Sequence, residues 1–181
     1  MLNSLKLLKQ LKVFLLTAIN SFIFFRFNSI RKDSIIHIYD IDNTLVDTWK
    51  YINSNDKHIL RQLEFHPEMK NLINNLYFNN TVLFFSVRPL NKWNDTRFWL
   101  SSNLFKFKWF HLFLFSSPKH KVDFVLKLSN LGFKIVFTDD LSYNHENDDV
   151  KFYTEEITRV NNSSVSYVSY KDINKITKKY I

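Results

Sequence analysis

Asp40, Asp42 and Thr44 are spaced by single residues at the end of an apolar run, Ile35-Ile36-His37-Ile38-Tyr39. The run reads as a buried strand, and the acids would then emerge at its carboxyl end. Open α/β sheets bind ligands in the crevice beyond their strand ends, so two carboxylates delivered there are candidates for chemistry. If the extended conformation persists, Asp40 and Asp42 share a face. Two carboxylates in one site can divide labour, one attacking or holding a metal, the other moving a proton. The string Asp-Ile-Asp-Asn-Thr also reads as a polar turn, because Asp and Asn are ordinary turn residues. The rest of the chain has to separate the two readings.

A second run, Thr81-Val82-Leu83-Phe84-Phe85, ends in Ser86, Val87, Arg88 and Pro89. The β-branched and aromatic content predicts a strand, and Pro89 disfavours helix just before it. A hydroxyl and a guanidinium two residues apart could both meet a bound oxyanion. Trp109 to Phe115 predicts a third strand, closed by Ser116-Ser117-Pro118. An amphipathic helix follows from Lys119 to Leu128. Lysines at a helix N-terminus oppose the macrodipole, so Lys119 and Lys121 there point to an anionic partner. Phe133 to Thr138 predicts a fourth strand, which runs straight into Asp139-Asp140. Adjacent acids repel unless a cation lies between them, and Mg²⁺ suits such oxygen ligands.

The positioning elements alternate between strand and helix, as a parallel sheet requires. Residues 45–56 read as a loop or flap and 57–66 as helix. Pro67 fits the first turn of a further helix over 67–78, and residues 90–104 are expected to form the next crossover helix. Gly132, the only glycine, falls where a left-handed helix cap is expected. Residues 141–149 read as a polar loop, 150–160 as helix, 165–170 as a short edge strand and 171–180 as a basic final helix.

Composition narrows the chemistry. At 181 residues the chain suits one domain with a real core, and its 45% hydrophobic content argues against disorder. Cysteine is absent, which excludes a disulfide framework, a thiolate nucleophile and a thiolate metal site. Any metal must be held by oxygen or imidazole. The net charge of +8 invites a nucleic-acid or anionic-membrane partner, but the basic residues are scattered.

Residues 1–27 stand apart. On a helical wheel Asn3, Lys6, Lys9, Gln10, Thr17, Asn20 and Ser21 form a polar stripe, opposite a broad apolar face. The uncharged stretch is shorter than the roughly 20 residues that span a bilayer. The expectation is an amphipathic helix at the cytoplasmic membrane face, ahead of a helix packed on the domain or a partner, and a short signal anchor. Residues 28–34 read as a linker, and 35–181 as the catalytic domain.

Asp40-Ile41-Asp42-Asn43-Thr44, Ser86, Lys121 or Lys119, and Asp139-Asp140, in that order at strand ends, resemble the haloacid dehalogenase-like (HAD) superfamily of phosphatases and phosphotransferases. The resemblance implies an α/β Rossmann-like three-layer α/β/α sandwich with a mainly parallel sheet. The short intervals 45–66 and 116–118 imply a capless type, without a large cap domain. It further implies a Mg²⁺-dependent phosphomonoester hydrolase, with Asp40 as nucleophile, Asp42 as acid and base, and Thr44 as a positioning group. Ser86 and Lys121, or Lys119 as second choice, would hold phosphoryl oxygens, with Arg88 and Asn43 also facing substrate. Mg²⁺ would be bound by Asp40, the Asp42 carbonyl, Asp139 and Asp140. The expected substrate is a phosphorylated sugar or glycan intermediate, processed by a cytoplasmic protein peripheral to the inner membrane face. Ser86 to Leu100 is also similar to the phosphatase domain of polynucleotide kinase-phosphatases, so a nucleic-acid 3′-end phosphatase is the alternative enzyme. A membrane-tethered scaffold with the same fold is the non-catalytic alternative.

Overall fold

The computed structural model describes Ala18, Asn20 and residues 35–49, 59–143, 145 and 150–177. Its centre is a five-stranded sheet built from β1 (Ile35–Tyr39), β2 (Thr81–Ser86), β3 (Leu112–Leu114), β4 (Lys134–Thr138) and β7 (Ser166–Val168). The order is β3-β2-β1-β4-β7 and every neighbour is parallel. Helices α1 (Pro67–Leu76), α2 (Trp93–Asn103), α3 (Pro118–Asn130), α4 (Thr154–Asn161) and α5 (Tyr170–Thr177) connect or follow these strands. A small antiparallel hairpin pairs β5 (Ser142–Tyr143) with β6 (Lys151–Phe152).

The two-residue period of the strands divides the core between two faces. Ile36, Ile38, Leu83, Phe85, Phe113, Ile135 and Phe137 pack with Val122, Val125 and Leu128 of α3 and Val160 of α4. Tyr39, Val82, Phe84, Leu112 and Leu114 point the other way, onto Met69 and Ile73 of α1 and Trp99 and Leu100 of α2. The result is a Rossmann-like α/β arrangement of sheet between helical layers. Both sheet faces are covered, which is why the strands read as continuous apolar runs.

Chain order places the site. From β1 the chain moves outward through β2 to β3, then returns to lay β4 on the other side of β1. The crevice between the ends of β1 and β4 is therefore the topological switch point. The Asp40 N–H donates to Thr138 O at 2.9 Å, carrying the ladder one step past the strand and bringing Asp40 beside Asp139.

Several expected elements are shorter or different. In the region expected to be helical over 57–66, the described residues form one 3₁₀ turn, Ile59–Gln62. The third strand is confined to Leu112–Leu114 because Trp109–His111 winds into a 3₁₀ turn. The polar loop after Asp140 contains β5, and the segment expected as helix from Val150 begins with β6 before α4 starts at Thr154. Residues 1–34 lie outside the described residues except Ala18 and Asn20, both helical. Asn20 is buried and its Nδ2 donates to Leu114 O at 2.8 Å. Among the described residues no helix is long and apolar enough to cross a membrane.

Candidate active site

The loop after β1 is tight. Leu45 N–H donates to Ile41 O at 3.0 Å and Asn43 N–H to Val46 O at 2.8 Å. Asn43 adopts φ 58°, a left-handed conformation that Asn tolerates better than most residues. Its side-chain oxygen accepts from Thr48 Oγ1 at 3.3 Å and Trp49 N at 3.2 Å, anchoring the start of the flap. The strand does not persist to Asp42. Asp40 and Asp42 therefore reach different cations while lining one cleft.

Asp40 is buried and accepts from Lys121 Nζ at 2.6 Å; the same ammonium lies 2.6 Å from Asp139 Oδ2. Lys121 sits in the first turns of α3, one and two turns before Val125 and Leu128, and shares their inward stripe. Its side chain is 4% exposed. Lys119, two positions earlier and so on the opposite side of the helix, is 58% exposed and pairs with Asp123 at 3.3 Å. The phase of α3 places Lys119 on the surface, outside the lining of the cleft.

The β4 acids are held in place by backbone and side-chain donors. Asp139 Oδ1 accepts from Leu141 N at 2.9 Å, and Tyr167 Oη donates to Asp139 O at 2.9 Å. Leu141 takes φ 41°, an unfavourable conformation for a bulky side chain, and is buried. Such strain clusters at functional turns. Thr44, fully buried, accepts from Asp140 N at 3.2 Å and donates to Asp140 Oδ1 at 3.4 Å, tying the β1 loop to the β4 end. Ser142 donates to Asp140 Oδ2, and His145 Nε2 lies 2.7 Å from Ser142 Oγ and 3.3 Å from Asp140 Oδ2.

Asp42 faces the β2 end. Ser86 Oγ donates to Asp42 Oδ2 at 3.1 Å, and Arg88 grips both carboxylate oxygens, through Nε at 2.8 Å and Nη2 at 2.5 Å. The third guanidinium nitrogen, Nη1, donates to Thr96 Oγ1 at 3.1 Å, so α2 fixes the plane of the fork. Burial pushes the Asp42 carboxyl up, but Arg88 and hydrogen bonds from Thr48 and Ser86 outweigh it and hold the group below the usual value.

The other acids are pushed the opposite way. Burial raises Asp40 well above its ordinary value, with Asp139, Asp140 and Asp42 adding to the rise and Lys121 opposing it. Burial and Asp140 likewise raise Asp139. Burial alone would lower Lys121, but Asp139 and Asp40 raise it, keeping the ammonium charged.

Asp40, Asp139 and Asp140 bring carboxylate oxygens within 4.8 Å of one another, all buried. When all three acids are ionised, the one ammonium of Lys121 leaves two negative charges in excess. An oxygen-rich cluster short of two positive charges fits a hard divalent cation. The cluster lines a cleft of about 730 Å³ together with Trp49, Leu60, Leu63, Tyr143 and Tyr153.

No family model matches the chain, and no curated protein or solved structure is significantly similar to it. Asp40, Asp42, Thr44, Ser86, Arg88, Asp139 and Asp140, which follow or end strands, and Lys121 from the start of α3 converge on one cleft region. Ser142, His145 and Tyr167 support the acids without having been singled out in the sequence. An Asp-x-Ser string with a histidine three residues later was the available signal for the first two.

Proposed function

We propose that the protein is a Mg²⁺-dependent phosphomonoester hydrolase of the HAD type that works through an aspartyl-phosphate on Asp40. One observation carries this reading: Asp40 lies on the cleft floor against Lys121, beside two further acids, while Asp42 is held apart by its own cation. A nucleophile and a proton carrier need this kind of separation in environment.

In the first step an Asp40 carboxylate oxygen attacks phosphorus, the P–O ester bond breaks, and Asp42 gives a proton to the departing oxygen. Ser86 and Arg88 now bond Asp42, but they are also the donors that phosphoryl oxygens would take. Losing them to substrate raises the proton affinity of Asp42, as the acid step needs. In the second step water attacks phosphorus, Asp42 takes the water proton, and the bond to Asp40 breaks to free phosphate and the carboxylate. Lys121 orients Asp40 and stabilises charge on the phosphoryl oxygens. Mg²⁺ held by Asp40, Asp139 and Asp140 would offset the repulsion between phosphate and carboxylates. The substrate we favour is a phosphorylated sugar or glycan intermediate, reached through a cleft over which the described residues form no large cap.

Hydrolysis of p-nitrophenyl phosphate by the full chain should require Mg²⁺ and disappear in Asp40→Asn. Undiminished activity in that variant would sink the mechanism. Sugar phosphates, lipid phosphates and 3′-phosphorylated oligonucleotides tested side by side would then identify the leaving group.

A further inference from the structure

A second surface lies at the opposite end of the sheet from the acids, where β2 and β3 begin. Phe78, just beyond α1, is 66% exposed; Phe105 and Trp109, between α2 and β3, are 62% and 49% exposed. The Phe78 and Phe105 rings lie 6.0 Å apart. Lys106 Nζ sits 4.0 Å above the Phe78 ring and Lys108 Nζ 5.8 Å above that of Phe110. Scattered exposed aromatics are ordinary, but a group of them on one face marks an interaction site.

Charge narrows the partner. Neither residues 77–81 nor 104–111 contain Asp or Glu. Burial and the neighbouring Lys108 push the His111 imidazole down to about 4, so it is neutral at pH 7. The charge of these two segments is therefore positive and comes from Lys106 and Lys108. Single-stranded nucleic acid would need free ring faces for its bases, yet the Lys106 ammonium already covers one face of Phe78. A lipid interface makes no such demand: aromatic rings enter the headgroup region while lysine stems lie along them and the ammonium groups meet anionic headgroups.

We propose that this surface docks on an anionic lipid bilayer, with Phe78, Phe105 and Trp109 entering the headgroup boundary and Lys106 and Lys108 contacting the headgroups. The catalytic cleft then opens on the aqueous side, away from the bilayer. This docking stands independently of the catalytic reading, since no residue of the cleft takes part.

Flotation of the full chain with phosphatidylcholine vesicles, with and without phosphatidylglycerol, tests the proposal. Wild type should float with the anionic vesicles. Lys106→Glu/Lys108→Glu and the triple variant Phe78→Ser/Phe105→Ser/Trp109→Ser should each lose about tenfold or more in partitioning. Phe78, Phe105, Trp109 and Lys108 are exposed, while Lys106 is half-buried with its Nζ 3.5 Å from Tyr77 O, so circular dichroism checks that the fold is kept; should the triple variant misfold, the charge variant decides. Quenching by brominated lipid should also fall in Trp109→Phe. Absence of flotation by wild type, or undiminished flotation by the folded variants, which would place the contact elsewhere in the chain, overturns the proposal. So does a loss confined to binding of a single-stranded oligonucleotide.

Discussion

The Lys121 ammonium and the Asp40 carboxylate, 81 positions apart in the chain, meet at 2.6 Å inside the protein. The same ammonium reaches Asp139 at 2.6 Å, so one cation ties the ends of β1 and β4 to the start of α3. Removing it leaves two buried carboxylates, Asp40 and Asp139, without their charged partner. Lys121→Met should therefore cost about 3–5 kcal/mol of stability at neutral pH, read by urea denaturation, and should abolish hydrolysis. Lys119→Ala, which breaks only an exposed pair, should change stability by about 1 kcal/mol or less and leave kcat/KM intact. Equal effects of the two substitutions would refute the assignment.

Arg88 presents a planar fork to Asp42, with its remaining nitrogen fixed by Thr96. A lysine offers one point charge and cannot reproduce bidentate contact. Arg88→Lys and Arg88→Met should therefore both fall, by about 10²-fold in kcat/KM, in an aryl phosphate assay. Recovery of most activity in Arg88→Lys would show that charge alone matters there.

Much of this was readable in the sequence because the acids follow strands buried on both faces. Ile35 to Tyr39 and Lys134 to Thr138 carry strong apolar runs, and each ends abruptly in carboxylates. The lysine was harder to choose. Lys119 and Lys121 differ by about 200° around a helix, and only the packing of Val125 and Leu128 onto the sheet fixes which one turns inward. Trp109 to Phe115 misled for a physical reason: an almost unbroken aromatic and aliphatic run mimics a longer strand, although Trp109 is exposed and Trp109–His111 is a 3₁₀ turn. The Arg88–Asp42 pair and the Ser142–His145 support of Asp140 depend on contacts that no local spacing encodes.

Thr44 joins the two acidic strand ends through one hydroxyl that both accepts from Asp140 N and donates to Asp140 Oδ1. Thr44→Val keeps the shape and removes both bonds, leaving a buried N–H without its partner. The expected loss is about 1–3 kcal/mol, seen as a lower urea midpoint. Mg²⁺ affinity, measured by calorimetry, should weaken as well, because Asp140 loses its fixed orientation.

The same cluster sets how stability responds to pH and to metal. Asp40 and Asp139 have folded-state values raised above the ordinary 3.8. Groups raised in this way favour folding while protonated, and that contribution is lost as pH climbs from about 4 through their raised values. Asp42 is lowered, so its stabilisation is complete above 3.8 and fades only in stronger acid. The metal-free protein should thus show its highest melting temperature in mildly acidic buffer and a falling one towards neutral pH. Mg²⁺ supplies the missing positive charge and should raise the neutral-pH value most, flattening the profile, as binding to the folded state requires. Asp40→Asn removes one of the repelling charges and should flatten the metal-free profile too. A melting temperature that rises from mildly acidic to neutral pH in a metal chelator, with no response to Mg²⁺, would contradict this account of the site.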